Sequence, residues 1–146
     1  MATFSRNVTV NWEGSIMEGK GSAKAGSGAF TLPVSFPRRI GDAEGVTSPE
    51  ELIAAAHASC YAMALSGGLS RRGTPPRHMH VEAEVTFDKV GDAWSVISSH
   101  LIVVGQVDDI SDADFDAAAQ AAKDGCPISR ALNENVEIVV EPTLEH

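Results

Sequence analysis

Residues 52–65, LIAAAHASCYAMAL, are apolar on almost every face. A helix of that composition must be buried on most of its sides. The segment ahead of it carries a helix start: Ser48 suits the N-cap, Pro49 the first helical position, and Glu51 the third position of a capping box. The alanines are small enough for another backbone to approach closely. Gly67-Gly68, then Gly73 with Pro75-Pro76, read as the end of the helix. One small sheet is not expected to cover such a helix, so a second copy of the chain is expected to cover the remainder. The run falls short of the roughly 18–20 residues a membrane helix needs. The N-terminal MATFSRNVTVNWEG lacks the apolar centre of a signal peptide. The expectation is a cytoplasmic protein with no membrane partner.

The flanking segments read as strands and further helices. Val8, Val10 and Trp12 alternate with polar residues before a turn at Glu13-Gly14, and a second strand is expected from Ile16 to Ala23. Phe30, Leu32, Val34 and Phe36 alternate again, with Pro33 marking an edge strand or a bend. Residues 37–48, PRRIGDAEGVTS, read as a loop. Residues 80–89 and 93–104 predict a hairpin turning at Gly91-Asp92. Ser111 is an N-cap followed by Asp112 and Asp114, and Phe115, Ala118, Ala119 and Ala122 form the apolar stripe of a second long helix ending at Gly125. Cys126-Pro127 opens a short helix, and a strand from Val136 to Val140 follows. The order predicts a single α+β domain over residues 1–143 with mainly antiparallel sheets around the buried helix. Leu144-Glu145-His146 read as the start of an expression tag.

Eleven basic residues against twenty acidic ones give a net charge of −9. No basic cluster is present, so the chain is not expected to bind nucleic acid or anionic membrane surfaces. No glycine-rich phosphate motif supports a nucleotide cofactor, and no cofactor of any kind is expected.

The two cysteines, Cys60 and Cys126, have no CxxC or zinc-type spacing. In a cytosolic protein such a pair indicates either redox chemistry or two inert buried thiols. Cys126, at the start of the helix opening at Pro127, is the more acidic thiol on local grounds. Cys60 lies within the apolar helix, where desolvation raises its pKa. It becomes a nucleophile only if a fixed cation reaches it, and Arg38, Arg39 and His57 are the candidates.

TSPEELIAAAHASCYAMAL and GCPISRAL resemble the two cysteine motifs of the OsmC/Ohr family, the osmotically inducible and organic hydroperoxide resistance proteins. The resemblance extends over essentially the whole chain, including WEG near the start. AAHASC and GCPIS are closer to the OsmC branch. It implies the OsmC-like fold, an intertwined homodimer with two active sites at the subunit interface, and a thiol peroxidase acting on organic hydroperoxides and more weakly on hydrogen peroxide. By motif, Cys60 is the peroxidatic cysteine and Cys126 the resolving one, joined in a disulfide during turnover. Glu50 matches the family glutamate that holds an arginine beside the thiolate, and Arg39 is matched to that arginine, with Arg38 adjacent. The family also suggests a dithiol reductant, such as a dihydrolipoyl group.

A permanent guanidinium favours the thiolate and can stabilise the departing peroxide oxygen. A sulfenic acid formed at one cysteine condenses with a second thiol to a disulfide, which protects the first sulfur from over-oxidation. Ten helical residues rise about 15 Å, so Glu50 and Cys60 of one helix do not meet directly. Either the arginine bridges them, or the Glu50 beside a given Cys60 comes from the other subunit. The alternatives are a non-catalytic cysteine sensor or binding protein, and a metal site using Cys60, His57, His78 or His80. A histidine in an apolar helix is more often a hydrogen-bonded core group than a base. His78 and His80 share a strand face with no third ligand at matching spacing. Trp12 and Trp94 read as core or interface, and Phe36, Ile40 and Met63 as core or as the lining of an alkyl-peroxide pocket.

Overall fold

A computed structural model describes residues 3–146. The chain divides into two compact units, the first ending at Leu52 and the second running from Ile53 to His146.

The first unit is built on a three-stranded antiparallel sheet, β1 (Val8–Glu13), β2 (Lys20–Ala25) and β3 (Thr31–Val34), in that order. Pairs such as Val10–Ala23 and Ala23–Leu32 fix its register. The second strand starts at Lys20 rather than Ile16, because residues 15–19 form the turn. Pro33 sits on an edge strand, where a missing N–H is tolerated. Part of the stretch read as loop is helical: α1 (Phe36–Ile40) follows Ser35, with Pro37 in its first turn, a position at which proline is compatible with a helix. A parallel bridge from Val34 to Thr47 ties the end of the loop to the sheet edge.

Helix α2 (Pro49–Arg71) begins in the first unit and continues into the second. The Ser48 hydroxyl accepts from the Glu51 N–H at 3.1 Å, as an N-cap does. The Glu51 carboxylate accepts from Thr47 Oγ1 at 2.7 Å instead of closing the capping box. The helix does not stop at Gly67-Gly68. It runs through both glycines to Arg71, and its 23 residues are long and apolar enough, by length and composition, to cross a membrane. The stripe His57, Tyr61, Leu65 and Leu69 is nevertheless completely buried within the second unit, as in a core helix. Burial in the single chain is confined to that stripe and to Glu50, and Met63 is 74% exposed.

The second unit carries a sheet in the order β4 (Pro76–Val90), β5 (Ala93–Val107), β6 (Glu137–Leu144). β4 and β5 form the expected antiparallel hairpin around Gly91-Asp92, with Gly91 at φ +65°. β6 joins β5 in parallel, a pairing that needs a crossover connection. Helices α3 (Asp112–Gly125) and α4 (Pro127–Leu132) provide it. Ser111 caps α3 by accepting from the Asp114 N–H at 3.1 Å, and Phe115, Ala118, Ala119 and Ala122 are its buried face. Alternate residues of β5 (Ser99, Leu101, Val103, Val107) point into the same core. Leu144 belongs to β6 opposite Gly105, and the Glu145 N–H donates to the Gly105 carbonyl at 2.9 Å.

Trp12 and Trp94 are 42% and 55% exposed, so neither is a core residue of the single chain. Trp94 packs on Phe87 with ring centroids 5.2 Å apart.

Candidate functional site

The first unit holds one side-chain pair of interest. Arg39, near the end of α1, directs Nε to Glu50 Oε2 at 3.0 Å and Nη2 to Glu50 Oε1 at 2.5 Å. The contact lies within one chain. Glu50 is buried, and Arg39 is about one-third exposed. The bidentate fork holds both groups in a fixed orientation. The Glu50 hydrogen bonds outweigh partial burial and push the Arg39 pKa further up, so the cation is permanent. Arg38 points elsewhere, pairing with Glu44 at 2.7 Å on the exposed side of the loop.

The second unit holds the cysteines. Cys60, in the fourth turn of α2, is half-buried, while Cys126, between α3 and α4, is fully buried. Both are free thiols, each close enough to the other to affect its ionisation. Burial is the largest influence on Cys60 and pushes its pKa up; the neighbouring Cys126 adds to this, against a backbone hydrogen bond from Ile128. Burial also opposes ionisation of Cys126. It is outweighed by the polar groups around the sulfur at the start of α4, namely the Ser129 N–H, Cys60, the Ser129 hydroxyl and the Ile128 N–H, so the Cys126 pKa is pulled down. Within this unit Cys126 is the more acidic thiol.

His57, one turn before Cys60, is completely buried and bonded at both ring nitrogens: Nδ1 to Ser99 Oγ at 2.6 Å and Nε2 to Ser129 Oγ at 2.7 Å. Burial pulls its pKa below the usual 6.5. It is a core group bracing α2 against β5 and α4. Ser99 and Ser129 were not singled out in the sequence; they lie 42 and 72 residues from His57, and no local pattern links them. His78 and His80 are exposed on β4. Among the described residues, no three histidine, cysteine or acidic side chains gather as metal donors.

A groove of about 700 Å³ opens beside Cys60. Met63, Gly67, Arg71, Ala118 and Pro127 are among the residues that line it. Of the three residues considered as pocket lining, Met63 is there; Phe36 and Ile40 belong to the first unit.

The chain thus combines an α+β fold with two free cysteines packed in one core cluster, Cys60 lining an apolar groove. The OsmC-like protein family matches residues 41–141. Peroxiredoxin OsmC of Escherichia coli (strain K12) is 36% identical over 137 residues, covering 93% of this chain and 95% of that protein. The chain belongs to the OsmC-like family. The organic hydroperoxide resistance protein of Xanthomonas axonopodis pv. citri (strain 306) is 24% identical over 123 residues, 83% of this chain and 84% of that one. The fold is likewise similar to that of OhrB, the organic hydroperoxide resistance protein of Bacillus subtilis (TM-score 0.74, 23% identity, 94% and 98% of the two chains). It is also similar to an organic hydroperoxide resistance protein from Elizabethkingia anophelis (TM-score 0.79, 19% identity, 99% and 100%). Family and relatives together support a peroxide-related function.

Proposed function

We propose that the chain is a thiol peroxidase that reduces organic hydroperoxides through Cys60 and Cys126. The observation that carries this reading is that the two free thiols pack in one core cluster, with Cys60 lining an apolar groove. The Cys60 thiolate attacks the peroxide oxygen, the O–O bond breaks, and an alcohol leaves as Cys60 becomes a sulfenic acid. Cys126 then attacks the Cys60 sulfur, the S–O bond breaks, and a disulfide and water form. A dithiol, of which a dihydrolipoyl group is the proposed example, returns the disulfide to two thiols.

The first step needs a thiolate, yet burial and Cys126 hold Cys60 in its neutral form. The cation proposed to reverse this is Arg39, held by Glu50 and belonging to this chain or to a second copy. What supports the choice is its fixed bidentate geometry and permanent charge. A homodimer is part of the proposal: Val8, Val10 and Trp12 on β1 and Met63 on α2 leave apolar surface exposed in the single chain. A cytoplasmic location, without membrane or nucleic-acid partners, completes it.

The test is consumption of tert-butyl hydroperoxide with dihydrolipoamide as reductant. Turnover that disappears in Cys60→Ser supports the reading. Absence of turnover in the wild type, or equal turnover in both proteins, contradicts it.

A further inference from the structure

Two buried hydrogen bonds bracket the cysteine pair. On α2, Cys60 stands between His57 and Tyr61; across the seam, Cys126 stands between Ala119 of α3 and Ser129 of α4. His57 Nε2 lies 2.7 Å from Ser129 Oγ, and the Tyr61 hydroxyl donates to the Ala119 carbonyl at 2.8 Å. His57, Tyr61, Ala119 and Ser129 are all buried. Each bond therefore joins the helix that carries Cys60 to one of the two helices that flank Cys126. Cys60 itself lines the groove together with Gly125 and Pro127, the neighbours of Cys126 on either side. The second bond of His57, from Nδ1 to Ser99 Oγ at 2.6 Å, runs to β5 and reaches no cysteine-bearing segment. Much of the packing around the cysteines is apolar, with Leu65, Ala118 and Ala122 in the same cluster as Cys126. Apolar contact is non-directional and lets helices slide, whereas a hydrogen bond holds a distance and an angle. A disulfide tolerates Cα separations of only about 4.4–6.8 Å, so a small slide at this seam is enough to prevent it.

Resting on the peroxidase reading, we propose that the His57–Ser129 and Tyr61–Ala119 bonds form a two-point clamp, which holds α2 against the α3–α4 junction in the register that the Cys60–Cys126 disulfide requires. One tie alone would leave the seam free to pivot about it, and the second fixes the rotation. His57, Ser129 and Tyr61 are positioning residues that act through the helices carrying the sulfurs. The step they serve balances: the Cys126 sulfur bonds to the Cys60 sulfur, the Cys60 S–O bond breaks, and the leaving hydroxide with the proton lost by Cys126 makes water. A sulfenic acid left waiting is open to a second peroxide and irreversible oxidation, so register decides between closure and damage.

The experiment compares Ser129→Ala and Tyr61→Phe, which each open one end of the clamp, with Ser99→Ala. The last removes a comparably short bond from the same imidazole but leaves the clamp closed. Each reduced protein is equilibrated at fixed pH in mixtures of reduced and oxidised dithiothreitol, the free thiols are alkylated, and the Cys60–Cys126 disulfide is measured by mass. Ser129→Ala and Tyr61→Phe are each expected to lower the disulfide equilibrium constant about tenfold, a rise of about 30 mV in reduction potential. Ser99→Ala should match the wild type, and Ser129→Thr, which keeps the hydroxyl, should restore the equilibrium. Under excess tert-butyl hydroperoxide, the two clamp variants should lose more Cys60 to sulfinic acid than Ser99→Ala does. A shift of the same size in Ser99→Ala would mean a general loosening of the core and overturns the proposal, as does an unmoved equilibrium in Ser129→Ala and Tyr61→Phe. A wild type that forms no disulfide in these mixtures overturns it too. If the equilibria move as expected but no protein, wild type included, consumes peroxide, the peroxidase reading fails and the clamp stands.

Discussion

Arg39 and Glu50 hold one another through two guanidinium nitrogens across eleven residues of sequence, with the carboxylate buried and the cation partly exposed. The pair locks α1 to the start of α2. Arg39→Ala leaves a buried carboxylate without its counter-charge and should cost about 2 kcal/mol of stability. If Arg39 is the cation for Cys60, the Cys60 pKa should also rise, and each unit lost is a tenfold loss of thiolate. Peroxide consumption under substrate limitation should then fall at least about tenfold, and Arg39→Lys should recover part of it because charge without the fork is only half the interaction. Unchanged consumption in Arg39→Ala would remove Arg39 from the chemistry.

His57 gives the fold an acid sensitivity. Its folded-state pKa is depressed by burial, while in the unfolded chain it titrates near the usual 6.5. Below that value the unfolded state takes up a proton that the folded state refuses, so the His57 contribution is intact above about pH 6.5 and lost as pH falls. The slope from this one group is at most about 1.4 kcal/mol per pH unit. Urea midpoints at about pH 7.5 and about pH 5.5 should differ more for the wild type than for His57→Gln. Equal differences would mean that His57 is not the group responsible.

The two glycines inside α2 are not equivalent. A Cβ on Gly68 would meet only Arg71 Nη2 at 4.0 Å, whereas one on Gly67 would lie 3.3 Å from Arg71 Nη1. Gly68→Ala should stabilise the protein by about 0.5–1 kcal/mol, through higher helix propensity. Gly67→Ala should gain less, because the guanidinium must give way. Thermal unfolding of the two variants checks the order.

Gly105 on β5 faces the ring of Phe115, where an added Cβ would lie 2.6 Å from Cζ and 2.8 Å from Cε2. Phe115 is buried, so its ring must shift within the core to make room. Gly105→Ala should therefore destabilise by about 2 kcal/mol through overpacking. A denaturant midpoint equal to the wild type would show that α3 can move away from the sheet.

The parts of this fold that were legible in the sequence are those written in short-range chemistry. Ser48 and Pro49 mark the start of α2, Ser111 and the Phe115–Ala122 stripe define α3, and Cys126-Pro127 opens α4. The end of α2 was not legible, because Leu65 and Leu69 bury on the core and carry the helix past two glycines that local propensity treats as a stop. The short helix at Phe36–Ile40 was hidden because a proline and two arginines look like loop, although proline suits a first helical turn. The parallel pairing of β6 depends on a crossover that no strand pattern announces. At the site, the acidity of Cys126 followed from its place before Pro127. The brace of His57 by Ser99 and Ser129 joins three elements distant in sequence and emerges only when they pack.

The central claim is that Cys60 and Cys126 form one redox couple. Treating the reduced protein with a stoichiometric amount of tert-butyl hydroperoxide, followed by intact-mass measurement and peptide mapping without reductant, addresses it directly. The expected result is loss of two hydrogens and a single cross-linked peptide pair joining Cys60 to Cys126, with Cys126→Ser giving a trapped sulfenic acid on Cys60 instead. Two thiols that stay free while peroxide is present, or oxidation confined to methionine, would contradict it.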